Sequence, residues 1–281
     1  WFPTGGGKTE AYLGLTAFTL FWRRLREDDP NTGAGVAVLM RYTLRLLTVQ
    51  QFERASRLIM ACEHLRRAHP AELGSEPFSI GLWVGNNATP AKVLDARKDP
   101  QEARKAQQLA RCPACNQKKL RWDAEKARNS PEYLVECTNT ACPTHGWRLP
   151  IWTIDEDVYR ARPSLVIGTL DKFAQIVRSP STHAFFAGAG GPPELIIQDE
   201  LHLIAGPLGT VAGVYECAID LLCRRNGIGP KILGSTATIR RARDQVRQLF
   251  DRDVAQFPPP VLDANDSCFA VVDDAVPGRL Y

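Results

Sequence analysis

The chain has 281 residues, 44% of them apolar and 23% charged, with a formal net charge of +4. That balance excludes a disordered polar segment and supplies enough apolar surface for a sizeable core. The charge is too mild to single out a polyanionic partner, and no apolar run approaches the roughly 20 residues that span a bilayer, so a cytoplasmic protein without membrane contact is expected.

Phe2-Pro3-Thr4-Gly5-Gly6-Gly7-Lys8-Thr9-Glu10-Ala11 opens the chain. Glycine permits torsions and close approaches that a Cβ blocks, so three in succession shape a loop around a phosphate. A helix starting near Thr9 would aim free N–H groups and its dipole at that anion, Lys8 would meet the β- and γ-phosphates, and Thr9 would offer its hydroxyl to Mg²⁺. Thr4, Gly5, Gly6, Gly7, Lys8 and Thr9 are therefore candidate ATP and Mg²⁺ ligands. The strict G-x-x-x-x-G-K-[ST] pattern needs Gly where this chain has Phe2, and the bland alternative is a glycine turn beside a solvated lysine. The strand that should precede such a loop is missing, which predicts an internal fragment.

Helices are expected over 10–27 and 43–65 and strands over 34–40, 78–84, 164–168, 194–198 and 230–234, the alternation of a doubly wound parallel sheet. In the second helix Leu44, Leu47, Phe52, Ala55, Leu58, Ile59, Cys62 and Leu65 recur at helical spacing and read as core. Arg41, at a strand end, is the better candidate for a polyanion than Arg45, Arg54 and Arg57, whose helix face reads as solvated. Basic residues within 97–111 read as a solvated helical stalk.

Between Arg111 and Pro150 the alternation stops, and Cys112, Cys115, Cys137 and Cys142 fall within 31 residues. A C-x-x-C knuckle presents two thiolates from one turn and a second, longer knuckle closes a tetrahedral Zn²⁺ site. Disulfides, the alternative, are uncommon in reducing cytosol. Cys62, Cys217, Cys223 and Cys268 share no spacing and read as small buried groups. Lys118, Lys119, Arg121, Trp122, Trp147, Arg148 and Trp152 interleave charge and aromatic rings as a base-stacking surface would, although bracing is the default role of such a ribbon.

The run Glu194-Leu195-Ile196-Ile197-Gln198 reads as a buried strand, followed by Asp199-Glu200-Leu201-His202. Ligands bind at the carboxyl ends of parallel strands, so Asp199 would face Mg²⁺, Glu200 the attacking water, and His202 would couple the site to its surroundings. Lys231-Ile232-Leu233-Gly234-Ser235-Thr236-Ala237-Thr238 again reads as a strand ending in hydroxyls. These can sense a γ-phosphate, and Thr238 also suits a helix N-cap. Consecutive prolines after Phe257 suit a linker.

In order and spacing these stretches resemble motifs I, II and III of superfamily 2 helicases, with Asp199-Glu200-Leu201-His202 as the DExH variant. Met40-Arg41-Tyr42-Thr43 falls where motif Ia is expected, and Ile167-Gly168-Thr169-Leu170-Asp171-Lys172 where the next nucleic-acid motif is expected. The wording over Phe2–Ala11 and Gln198–Gly209 most resembles the DrmA family of helicase subunits from DISARM anti-phage systems. The resemblance implies a RecA-like P-loop NTPase domain over 1–110 and 151–256, a zinc-ribbon insertion over 111–150, and a linker or following domain over 257–281. It implies an ATP-dependent DNA helicase or translocase in which Glu200 and Lys8 are catalytic, Ser235, Thr236 and Thr238 couple, and Arg41, Thr169 and Lys172 track the strand. A second defence subunit would be a partner. The same motifs would serve an RNA helicase or an ATP-gated clamp that never separates strands, whereas a P-loop kinase would need a basic lid that the chain lacks. Without a second RecA-like domain to supply an arginine finger, weak turnover is expected.

Overall fold

The computed structural model describes residues 7–43, 45–123, 130–236, 242–257, 266–267 and 270–271. Its helices are α1 (Lys8–Leu25), α2 (Arg45–Ala68), α3 (Pro70–Leu73), α4 (Val93–Lys98), α5 (Pro100–Ala106), α6 (Asp155–Ala161), α7 (Leu170–Phe173), α8 (Gly206–Cys223) and α9 (Ala242–Phe250). Its strands are β1 (Val38–Tyr42), β2 (Ile80–Trp83), β3 (Leu120–Trp122), β4 (Val135–Cys137), β5 (Arg148–Leu149), β6 (Ile151–Trp152), β7 (Leu165–Thr169), β8 (Leu195–Gln198), β9 (Lys231–Gly234), β10 (Asp266–Ser267) and β11 (Ala270–Val271).

Six strands form one sheet in the order β6-β2-β7-β1-β8-β9, every pairing parallel. Alternation along each strand sends side chains to opposite faces. Val38 and Met40 of β1 join Tyr12, Leu20, Phe52 and Ile59 of α1 and α2 on one side. Leu39 joins Trp83, Val166 and Ile196 against α7, α8 and α9 on the other. Burial on both faces is why these strands are apolar runs rather than alternating ones. All carboxyl ends therefore lie along one edge of the sheet.

The five strand expectations match observed strands within a few residues, and the two long helices start and stop close to their expected bounds. The structure adds β6, which pairs with β2 through Ile80↔Ile151. Strands β3, β4 and β5 make a separate antiparallel sheet, and only Pro150 separates β5 from β6. The 97–111 stalk is instead two short helices broken at Asp99–Pro100, and Arg97 is tied to Asp123 at 2.8 Å. Leu65 is half exposed rather than core, and Cys217 is exposed while Cys62 and Cys223 are buried. Cys268 lies outside the described residues. Among the described residues no helix is long and apolar enough to cross a membrane.

Candidate functional site

Helix α1 begins at Lys8, preceded by Gly7 at φ 78, a left-handed conformation that glycine adopts without steric cost. Lys8 and Thr9 thus occupy the first turn, where backbone N–H groups have no intrahelical acceptor and favour an anion. One turn on, Tyr12 is buried on the sheet side. Burial pushes its hydroxyl up to about 12, opposed by neighbouring Ser235 and reinforced by the charges of Asp199 and Glu200. The start of α1 and the ends of β8 and β9 therefore share one neighbourhood.

Asp199 donates its backbone N–H to the Arg41 carbonyl at 3.0 Å, and its Oδ1 accepts the Glu200 N–H at 3.0 Å. Glu200 then turns at φ 50, ψ 47, a costly conformation for a residue with a Cβ and one that clusters at functional sites. Its Oε2 lies 3.3 Å from His202 Nδ1. Ser235 donates its N–H to Gln198 at 2.9 Å, and Leu201 donates to Ser235 at 2.7 Å, so the acidic turn and the Ser235–Thr236 hydroxyls are laced together by backbone bonds. The Thr236 hydroxyl has no partner among the described residues. The hard oxygens of Thr9 and Asp199 suit Mg²⁺. Thr4, Gly5, Gly6 and Thr238 lie outside the described residues.

Further along the same edge, Thr43, Gly85, Asn86, Asn87, Thr169, Asp171 and Gln175 line a cleft of about 460 Å³. The buried hydroxyls of Thr43 and Thr169 have no partner among the described residues. Two of the three side chains expected on a nucleic-acid track are elsewhere. Arg41 is 0% exposed and ion-paired with Glu216 of α8, its guanidinium 5.6 Å from the Phe173 ring centre. Lys172 is buried between Asp155 Oδ2 at 2.6 Å and Asn86 Oδ1 at 3.1 Å. Both cations point into the core, where a carboxylate neutralises each, because their positions on β1 and α7 face the packed helix layer. Burial raises the pKa of Asp155 and Glu216 even so, with Lys172 and Arg41 respectively opposing it. Asn86, Asn87 and Tyr12 were missed by sequence reasoning, and Thr43 was named only within the Met40–Thr43 stretch. Gly85-Asn86-Asn87 follows an expected strand at its ligand-facing end, a signal that was available.

The four ribbon cysteines are brought together, with every Sγ within 4.8 Å of the others. Cys112 and Cys142 Sγ are 3.8 Å apart, and Cys115 and Cys137 Sγ are 3.7 Å apart. A disulfide needs about 2.05 Å. A tetrahedron of thiolates about 2.3 Å from one Zn²⁺ has edges of about 3.8 Å, so the sulfur positions fit the metal. The aromatic residues turn inward. The Trp147 ring lies 3.9 Å from the Arg67 guanidinium and 6.1 Å from His64, both on α2, while Trp122 and Trp152 pack on the core clusters. The interleaved pattern thus attaches the ribbon to the sheet layer.

No protein-family model matches the chain. A DISARM protein DrmA of Bacillus paralicheniformis is 39% identical over 337 aligned positions that take in 100% of this chain. The chain spans about 30% of the length of that relative. Among solved structures, Mss116p bound to ssRNA and AMP-PNP superposes with a TM-score of 0.51 at 12% identity, over 88% of this chain and 33% of that one. The DUF1998 helicase MrfA gives 0.48 at 16% identity, over 89% and 26%. The chain is thus similar to DrmA along its whole length and shares the RecA-like fold of the Mss116p domain.

Proposed function

We propose that this chain, similar throughout to DrmA, is the first RecA-like domain of an ATP-driven DNA helicase or translocase in a DISARM anti-phage system. The observation that carries this reading is the convergence of the α1 N-terminus, Asp199-Glu200 and Ser235 at the carboxyl edge of one parallel sheet. In it the RecA-like unit comprises 1–110 and 151–256, the zinc ribbon 111–150 and the linker 257–281. The protein acts in the cytoplasm with a second defence subunit.

Lys8 and the free N–H groups of α1 bind the phosphates, with Gly5, Gly6 and Gly7 shaping the loop. Mg²⁺, held by Thr9 and Asp199, supplies charge neutralisation when bound. Glu200 orients the water for in-line attack on the γ-phosphate, and His202 fixes the direction of its carboxylate. Ser235 and Thr236, tied to the acidic turn through the Ser235 backbone, couple that chemistry to the rest of the protein. Thr43, Asn86, Asn87 and Thr169 offer neutral hydrogen-bond groups to the sugar–phosphate backbone, a contact that positions the strand without reading its bases. Zn²⁺ on Cys112, Cys115, Cys137 and Cys142 braces the ribbon.

The test is ATP hydrolysis by the intact protein with single-stranded DNA, duplex DNA or RNA, beside Lys8→Ala and Glu200→Gln. DNA stimulation lost in both variants is expected, with Glu200→Gln still binding ATP. Normal turnover by Glu200→Gln would end the assignment of the base. Stimulation by RNA alone would change the track, and bound ATP with no response to any polymer would favour a nucleotide-gated clamp.

A further inference from the structure

One rung near the carboxyl edge of the central sheet is shared by five strands. Parallel pairing sets Trp83, Gly168, Arg41, Gln198 and Gly234 side by side, from β2 to β9. Arg41 and Gln198 continue the alternation of Leu39 and Ile196, so both face the helix layer that contains α8, on strands about 4.8 Å apart. The glycines at either side admit a neighbour. A Cβ on Gly168 would stand 2.9 Å from the Phe173 ring, and one on Gly234 would stand 3.0 Å from Leu201. Phe173 ends the helix that starts beside Thr169 and Asp171 of the polar cleft, while Leu201 directly follows Asp199-Glu200. Arg41 lies between them, its guanidinium against Phe173 and Glu216.

The rung also grips the backbone of Asp199 at two points. The Arg41 carbonyl accepts the Asp199 N–H at 3.0 Å, and the Gln198 side-chain amide donates to the Asp199 carbonyl at 2.9 Å. Yet Arg41 Nε and Nη2, and Gln198 Oε1, are buried with no hydrogen-bond partner among the described residues. Spare donors thus stand beside a spare acceptor in register, and buried polar groups are rarely left unpaired. Engagement of these groups with each other would give each the partner it lacks.

Building on the proposed function, we propose that Arg41 and Gln198 are positioning residues that connect the polar cleft to Asp199. In this arrangement Phe173 moves with a polymer bound at Thr43 and Thr169 and displaces the Arg41 guanidinium towards Gln198. The Gln198 amide then redirects the Asp199 peptide, and with it the Glu200 turn. The rung is the two-state element that both sites bias, which is the physical requirement for coupling.

The experiment compares full-length wild-type protein with Gln198→Met and Glu216→Gln. It measures ATP hydrolysis with and without single-stranded DNA, affinity for a non-hydrolysable ATP analogue, affinity for the DNA, and thermal midpoint. Gln198→Met should keep the DNA affinity and lose most of the DNA stimulation, on the order of tenfold, within the range typical of coupling between two sites, with the basal rate falling by much less. Glu216→Gln, which loosens Arg41, should also lower the stimulated-to-basal ratio. A merely structural role would lower basal and stimulated rates together and leave their ratio unchanged, whatever the midpoint does. Stimulation at the wild-type ratio in both variants would overturn the inference. A wild-type protein that hydrolyses no ATP with any polymer would instead refute the functional reading, and the inference would fall with it.

Discussion

Replacing Arg41 by methionine isolates the electrostatics of the pair beneath the site, because methionine keeps much of the aliphatic stem and removes only the charged head. Arg41 is 0% exposed and Glu216 is 4% exposed, so the carboxylate would be left in the core without its cation. Removing one member of such a pair costs about 3–5 kcal/mol. For a chain of this size that corresponds to a fall in thermal midpoint on the order of 10 °C. The deficit has a signature in pH. Burial already raises the Glu216 pKa, Asp220 adds to it, and Arg41 is what opposes it. In the variant the folded state therefore holds a proton at a pH where the unfolded state has released it, and stability falls as pH rises. Urea unfolding at pH 8 and pH 5.5 should show a deficit that shrinks in acid by up to about 1.4 kcal/mol per pH unit. Adding Glu216→Leu should recover most of the loss at pH 8, since a well-packed apolar pair replaces a buried ion pair at little cost. A variant within about 1 kcal/mol of wild type at pH 8, or a deficit independent of pH, would refute the argument that mutual neutralisation holds the pair.

Purified protein should carry one zinc ion per chain by elemental analysis, and Cys115→Ser with Cys137→Ser should abolish it and open 111–150 to proteolysis. Four freely titrating thiols in metal-free, protease-resistant protein would rule the site out. Burial raises the Asp157 pKa to about 6, against the opposing Tyr133 N–H and Arg160. Stability should accordingly decline between about pH 4 and pH 6, and Asp157→Asn should flatten that decline by on the order of 2 kcal/mol. An unchanged pH profile in unfolding experiments would contradict it. Gly168→Ala would bring a Cβ to 2.6 Å from the Trp83 carbonyl oxygen and 2.9 Å from Phe173. Phe173 is held against Trp83 at 5.0 Å, so a loss of about 1–3 kcal/mol is expected, and a variant as stable as wild type in urea would show that the ring yields.

What the sequence discloses here is what is encoded locally. A parallel strand buried on both faces must be apolar throughout, so the runs at 34–40, 164–168 and 194–198 identify themselves, whereas Ile151-Trp152 is too short to register and joins the sheet only because β2 stands beside it. The cysteines are legible for the same reason, each pair lying close in sequence, Cys112 with Cys115 in one turn and Cys137 with Cys142 five residues on. Charges are not local. Arg41 reads as a strand-end cation free to meet a phosphate because its partner, Glu216, lies 175 residues away, and Lys172 is misread in the same way through Asp155. A sequence shows that a charge exists but not what neutralises it, and in a sheet packed on both faces that difference decides whether the side chain reaches the site edge or lies beneath it. Amides carry no such ambiguity of charge, yet they were passed over at Asn86 and Asn87. The cations instead lie beneath that edge, Arg41 against Glu216 and Lys172 against Asp155.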